Sequence, residues 1–72
     1  MSESVSANAV WQYDYIDHYR LDENIIGGFL DRKWGHYKYY VRRKGDEFRF
    51  WVPRALDKDE KNKLIELRKP KA

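Results

Sequence analysis

The sequence lacks cysteine and threonine, and its three serines lie within the first six residues. A chain without cysteine has no disulfide, no zinc–thiolate site and no thiol nucleophile. With serine confined to a polar leading segment, we also expect no hydroxyl nucleophile from serine or threonine. Small secreted proteins usually need disulfides to be stable. We therefore expect an intracellular protein, either cytoplasmic or associated with the nucleoid or nucleus.

Motifs for metal ions and for phosphate-binding loops are also missing. There are only two histidines and no HExxH motif, and residues 14–18 lack the pattern of a calcium loop. Gly27-Gly28 is not followed by the Gly-Lys-Ser/Thr of a phosphate loop. The Asp-Glu pairs at 22–23 and 46–47 are typical of surface turns. We expect a protein that is not an enzyme and that has no metal and no cofactor.

No apolar run approaches the roughly 20 residues of a membrane span, so we expect no membrane partner. Residues 1–9 are small and polar, which predicts a flexible tail and argues against a signal peptide. A single small domain is expected over residues 10–69, followed by a basic tail over 70–72. Its 3 Trp, 6 Tyr and 3 Phe are the main source of apolar burial in a chain of 72 residues.

Charge is distributed unevenly along the chain. Residues 1–31 carry six acidic side chains against Arg20 alone, whereas residues 32–72 carry 14 Lys and Arg against six acidic side chains. The formal net charge of +3 hides this contrast. A basic second part is compatible with a polyanionic partner, and equally with solubility and internal charge compensation.

Three strands are predicted over residues 28–33, 36–44 and 47–53. They are separated by Trp34-Gly35 and by Gly45-Asp46, short loops of the kind that join hairpins. A helix is predicted over 57–68, with Asp57 as N-cap, Glu60 three residues later, and Pro70 after its end.

The sequence pattern of residues 10–22 fits two secondary structures. Alternating aromatic and polar residues favour a strand, but the aromatic spacing also fits a helix. Gly27-Gly28 then predicts a bend or the close approach of another backbone. The sequence therefore predicts an α+β fold: a small three-stranded antiparallel sheet, or a four-stranded or SH3-like one, with a C-terminal α-helix.

Alternation along the predicted strands gives the sheet two different faces. One face is apolar and is expected to form the core with the C-terminal helix. Its predicted members are Tyr37, Tyr39, Val41, Phe48, Phe50, Val52, Leu64, Ile65 and Leu67. On the other face, aromatic rings stand among cations, an arrangement that suits bases and phosphates. The predicted contacts to DNA or RNA are Lys38, Tyr40, Arg42, Arg49 and Trp51, with Arg32, Lys33, Arg43 and Lys44 at the periphery.

Two alternatives stay open at this point. If residues 10–22 close the sheet into a small barrel or lie over its second face, Tyr40 and Trp51 belong to the core. The acidic aromatic segment 11–23 is also a candidate interface of a protein-binding adaptor or inhibitor, because aromatic residues dominate such interfaces. The candidate contacts of that interface are Trp11, Tyr13, Tyr15, Asp17 and Tyr19.

Residues 28–68 resemble, in outline, several small modules with a sheet and a terminal helix. They are the SH3-like archaeal chromatin proteins, the chromo-like domains and the sheet-type amino-terminal DNA-binding domains of phage and transposon integrases. The resemblance consists of the predicted meander, Trp51-Val52-Pro53 at its end and the helix that Asp57 caps. Chromo-like domains bind methyl-lysine in an aromatic cage. Here the cations beside Tyr40 and Trp51 would repel that ligand, so no residue takes a role from these families.

Overall fold

The structure, a computed structural model, describes residues 4–17 and 20–68. It is a small α+β fold with a three-stranded antiparallel sheet and two helices. The strands lie in the order β1-β3-β2, so β3 is central. The elements are β1 (Gln12–Asp17), α1 (Glu23–Trp34), β2 (Arg42–Lys44), β3 (Glu47–Val52) and α2 (Lys58–Glu66).

The segment 10–22 contributes a strand, which resolves the ambiguity in its sequence pattern. β1 pairs antiparallel with β3, with Tyr13 opposite Trp51 and Tyr15 opposite Arg49. Its alternating burial, with Asp14 and Ile16 buried between exposed neighbours, is that of a strand covered on one side. The segment therefore extends the sheet sideways instead of lying over it.

The predicted strand 28–33 is wrong, because these residues belong to α1. The Asp22 side chain caps this helix by accepting the N–H of Ile25 at 2.8 Å. Ile26, Leu30 and Trp34 are buried at intervals of four residues, so they form one apolar stripe. The predicted bend at Gly27-Gly28 is wrong for the same reason: both glycines lie inside the helix. The alternative, close approach of another backbone, is also wrong, because a Cβ at either glycine would meet no such backbone within 4 Å.

Of the predicted strand 36–44, only residues 42–44 form a regular strand, which is β2. The chain then reverses at Gly45-Asp46 and continues into β3, as expected. Trp34-Gly35 is not a hairpin loop, since Gly35, with φ of 98°, ends α1. The three-stranded meander over 28–53 is thus absent, and the outline resemblance that depends on it is not supported by the fold.

The C-terminal helix begins as predicted. Asp57 accepts the N–H of Glu60 at 2.8 Å, and the Glu60 carboxylate accepts the N–H of Asp57 at 2.9 Å. This reciprocal pair is a capping box. The helix ends at Glu66, two residues before the predicted end, and Leu67 is exposed at its C-cap.

Both helices contribute to one core against the face of the sheet that holds Phe48, Phe50 and Val52. Two core expectations are wrong: Tyr37 and Leu67 are exposed, because the first precedes the regular part of β2 and the second follows α2. Val5 lies outside the sheet and packs against this core. The expected boundary of the flexible tail, after residue 9, stays a prediction. The buried apolar residues are Ile16, Leu21, Ile26, Leu30, Trp34, Tyr39, Phe48, Phe50, Val52, Leu56 and Leu64.

Candidate functional site

One face of the sheet is left without a covering element among residues 4–17 and 20–68. Core residues occupy the other side of β1 and β3, so their alternate residues point away from the helices, and β2 is exposed throughout. We call this side the outer face. It consists of Tyr13, Tyr15 and Asp17 of β1, Glu47, Arg49 and Trp51 of β3, and Arg42 and Lys44 of β2.

Aromatic side chains on the outer face are open to solvent. Tyr13 is 63% exposed and Tyr15 is 58% exposed, although both belong to a paired strand. Trp51 is partly buried, because its ring meets Tyr13 edge to face, with the ring centroids 4.7 Å apart. Large rings exposed on a sheet remain available for a ligand with a flat apolar surface.

Tyr40 stands beside the outer face in an unusual backbone conformation. If the β2–β3 register continued, Tyr40 would lie opposite Trp51. Instead, the N–H of Trp51 donates to the carbonyl oxygen of Tyr39 at 2.5 Å. The chain therefore slips by one residue, and Tyr40 adopts a φ of 50°, in the left-handed region that non-glycine residues seldom occupy. Its side chain is 52% exposed.

A cation-rich depression lies on one side of Tyr40. We call it the cationic recess; its volume is about 430 Å³. None of its described lining residues is acidic, so the local charge is strongly positive. The lining consists of Tyr13, Tyr40, Arg42, Arg43, Lys44 and Arg49.

A second depression, of about 380 Å³, is also lined by Tyr40. We call it the aromatic recess, because four of its five lining residues carry rings. Within it, Trp11 and Tyr37 are in contact, with ring centroids 5.4 Å apart. The lining consists of Trp11, Tyr37, Lys38, Tyr40 and Trp51.

Acidic side chains are mostly held away from the two recesses. Asp14 points to the core side, where its carboxylate accepts the N–H of Leu56 at 2.8 Å and pairs with Lys61 at 3.1 Å. On the outer face, Glu47 pairs with Arg49 at 3.1 Å, near the end of the face where Asp17 lies opposite Glu47. The outer face is thus basic over the recesses and acidic at one end.

An ion-pair cluster around Glu60 lies between the helices, not on the outer face. Arg54 donates to both carboxylate oxygens of Glu60 at 2.8 Å, and Lys33 contacts the same carboxylate. The Arg54 guanidinium, with smaller contributions from Lys33 and the Asp57 N–H, lowers the pKa of Glu60 to about 2 although burial acts to raise it. This cluster joins α1 to α2 and so has a structural function.

Most of the residues predicted to contact nucleic acid lie together. Seven of them line the two recesses: Lys38, Tyr40, Arg42, Arg43, Lys44, Arg49 and Trp51. Arg32 and Lys33 do not join them, because their segment is helical. Lys33 pairs with Glu60, and Arg32 lines a separate hollow of α1 with Asp22 and Leu67.

The candidate protein-interface residues are divided by the fold. Tyr13, Tyr15 and Asp17 lie on the outer face, and Trp11 lies half-buried in the aromatic recess. Tyr19 lies outside the described residues. The two candidate interfaces therefore share one surface.

Three residues that line the two recesses were not predicted from the sequence to contact nucleic acid. Trp11 and Tyr13 were assigned only to the alternative interface, since nothing in the sequence specifies that β1 pairs with β3. Tyr37 was assigned to the core, because the slip at Tyr40 has no clear sequence signal. The aromatic run 37–40 was the available hint that one ring had to face solvent.

Among the described residues, no group of three or more His, Cys, Asp or Glu is arranged to hold a metal ion. In the same part of the chain, neither helix has the length and apolar character that crossing a membrane requires. Comparison with protein-family models, with curated proteins and with solved structures returns no match to this chain. The function is therefore inferred from the geometry and charge of the outer face.

Proposed function

We propose that this protein binds nucleic acid through the cationic recess and the aromatic recess, without catalysing a reaction. Arg42 and Arg49 would contact phosphates, assisted by Lys38, Arg43 and Lys44. Tyr13, Tyr40 and Trp51 would contact bases or sugars. These roles of the cations and the rings match the chemistry of nucleic acid, because its phosphates are anionic and its bases present flat apolar surfaces.

One observation supports the proposal most strongly. Exposed aromatic rings and several cations occupy the same uncovered face, and the described lining of the cationic recess contains no carboxylate, although Glu47 beside it pairs with Arg49. Exposed rings alone would suit many partners, and cations alone would be ordinary surface charge. Their combination is what a partner with alternating flat and anionic groups requires.

A nucleic-acid partner also agrees with the expectation of an intracellular protein. Binding should weaken steeply as salt rises, because each phosphate contact releases a condensed counterion. Whether the ligand is DNA or RNA depends on contacts to the sugar, and either is compatible with the outer face as described.

Fluorescence anisotropy with labelled oligonucleotides at low and moderate salt tests the proposal. We expect saturable binding at low salt that weakens at moderate salt. The double variant Trp51→Ala/Arg49→Ala should lose affinity while circular dichroism reports an intact fold. Absence of saturable binding to every duplex and single strand at low salt would overturn the proposal.

A protein partner is the second candidate, supported by Tyr15. Its ring is 58% exposed, lies outside both recesses and neighbours the acidic end of the outer face. Under this candidate, a stoichiometric protein complex should survive nuclease treatment and should be lost in Tyr15→Ala. A complex that nuclease destroys would instead support nucleic-acid binding.

A further inference from the structure

The two recesses differ in chemistry, although they share Tyr40 as their common wall. The cationic recess has four cations and two tyrosines, whereas the aromatic recess has four rings and one lysine. Two phosphate sites would be expected to resemble each other, and so would two base sites. The observed difference instead matches the two ends of one nucleotide unit.

We propose that the aromatic recess holds one unstacked base and that the cationic recess holds the adjacent phosphates, so that the ligand is single-stranded. This inference rests on the proposed function and specifies its ligand. In a duplex, both faces of every base are already stacked on neighbours, and only the base edges and the phosphates are accessible. Ring faces in a protein recess are useful only to a base that has left the stack.

Tyr40 is the residue that separates the two subsites, and its backbone conformation fixes it there. A φ of 50° is unfavourable for tyrosine, so neighbouring contacts must hold it. The hydrogen bond from Trp51 N–H to the Tyr39 carbonyl fixes the preceding residue to the central strand, and the Tyr39 side chain is buried in the core. The backbone of Tyr40 is therefore held between the two recesses that its side chain lines.

The positive φ at Tyr40 also allows a substitution that removes the ring without straining the backbone. Glycine adopts positive φ without strain, so Tyr40→Gly removes the ring while the slipped backbone is retained. The matched control is Tyr15→Ala. Tyr15 is exposed to a similar extent on the same sheet, but it lines neither recess, and Lys61 lies over its ring at 4.9 Å.

The experiment compares three probes of equal length at one low salt concentration: single-stranded oligo-dT, single-stranded oligo-U and a blunt DNA duplex. We expect both single strands to bind at least tenfold more tightly than the duplex.

The variants test the base subsite with the same probes. Tyr40→Gly should lose about tenfold in single-strand affinity, since stacking of one base on a ring contributes on this scale. Its duplex affinity should change less than twofold, and Tyr15→Ala should bind single strands as the wild type does. A thermal melt of each variant verifies that it folds.

Failure of this inference is distinguishable from failure of the proposed function. If duplex binds as tightly as single strands in the wild type, the outer face binds nucleic acid but the base subsite is wrong. The same conclusion follows if Tyr40→Gly and Tyr15→Ala weaken single-strand binding equally. If no probe binds, the proposed function fails and this inference fails with it.

Discussion

Tyr13 of β1 and Trp51 of β3 contact each other edge to face on the outer face, with ring centroids 4.7 Å apart and ring planes at 62°. This contact joins the amino-terminal segment to the basic hairpin. The acidic first part of the chain therefore adds aromatic surface beside the cations and does not cover them.

The salt dependence of binding should depend on Arg42 and Arg49. We expect Arg42→Gln/Arg49→Gln to weaken oligonucleotide binding and to reduce the slope of log affinity against log salt by about 1 to 1.5, which corresponds to two phosphate contacts. The control, Arg32→Gln/Lys63→Gln, removes the same charge from the helices, where the two residues line a hollow away from the outer face. Equal effects of both double variants on the slope would mean that binding follows net charge only.

The two glycines of α1 should limit the stability of the fold. Apart from the adjacent residues and the backbone of the same helix, no atom lies within 4 Å of where a Cβ on Gly27 or Gly28 would be. Alanine therefore fits at both positions. Because alanine is a better helix former than glycine, each Gly→Ala substitution should raise the free energy of unfolding by roughly 0.5–1 kcal/mol. In a domain of this size, each kcal/mol raises the melting temperature by about 4–8 °C. A lower melting temperature in either variant would contradict the structure of α1.

Acid should weaken the fold through Glu60. Its pKa is lowered from 4.5 to about 2 in the folded protein, mainly by Arg54. Because the folded state binds the proton less readily than the unfolded state does, the stabilisation is complete above pH 4.5. It is lost as the pH falls towards 2. The whole effect is on the order of 3 kcal/mol.

Denaturant unfolding of Glu60→Gln across this pH range measures that contribution. We expect a large deficit relative to the wild type at pH 7 that shrinks as the pH approaches 2. Glu66→Gln, at the exposed end of α2, should show little deficit at either pH. A deficit of Glu60→Gln that stays constant with pH would exclude the ion-pair cluster as its cause.

Alkaline unfolding should involve Tyr39. Its buried hydroxyl donates to the carbonyl oxygens of Gly35 and Leu30 near the end of α1, at 3.2 Å for Leu30. Burial, with Asp31 and Tyr37 adding to it, raises the pKa of Tyr39 from 10 to about 12. The stabilisation is therefore present below pH 10 and is lost as the pH rises towards 12.

Tyr39→Phe removes both the hydrogen bonds and the titration. The substitution should lower the free energy of unfolding by about 1–2 kcal/mol at pH 7. Absorbance titration of the folded wild type should contain one phenol that ionises near pH 12, and that phenol should be missing in the variant. An unchanged high-pH titration after the substitution would assign the late phenol to another tyrosine.

Local signals in the sequence were sufficient for the β2–β3 hairpin turn and for the start of α2, although not for residues 36–41. Gly45-Asp46 specifies the hairpin turn, and Asp57 with Glu60 specifies the start of α2, because in both cases the interacting groups are a few residues apart. The alternation of residues 47–52 correctly assigned Arg49 and Trp51 to one side and Phe50 to the other.

The first half could not be predicted in the same way, because it depends on distant contacts. Gly27-Gly28 weakens the helical signal of α1, and burial of Ile26, Leu30 and Trp34 in the core outweighs that cost. The pairing of β1 with β3 joins residues 12–17 to 47–52, and strand alternation does not indicate which strand is the neighbour. The same limitation hid the contribution of Tyr13 to the candidate site.

Nuclear magnetic resonance of the three tryptophan indole N–H groups tests the central claim most directly. Trp11 and Trp51 line the aromatic recess, whereas Trp34 is buried in the core as an internal reference. On titration with a single-stranded oligonucleotide at low salt, the indole signals of Trp11 and Trp51 should shift saturably and that of Trp34 should stay in place. Saturable binding that leaves the Trp11 and Trp51 signals unmoved would contradict the assignment of nucleic-acid binding to the outer face.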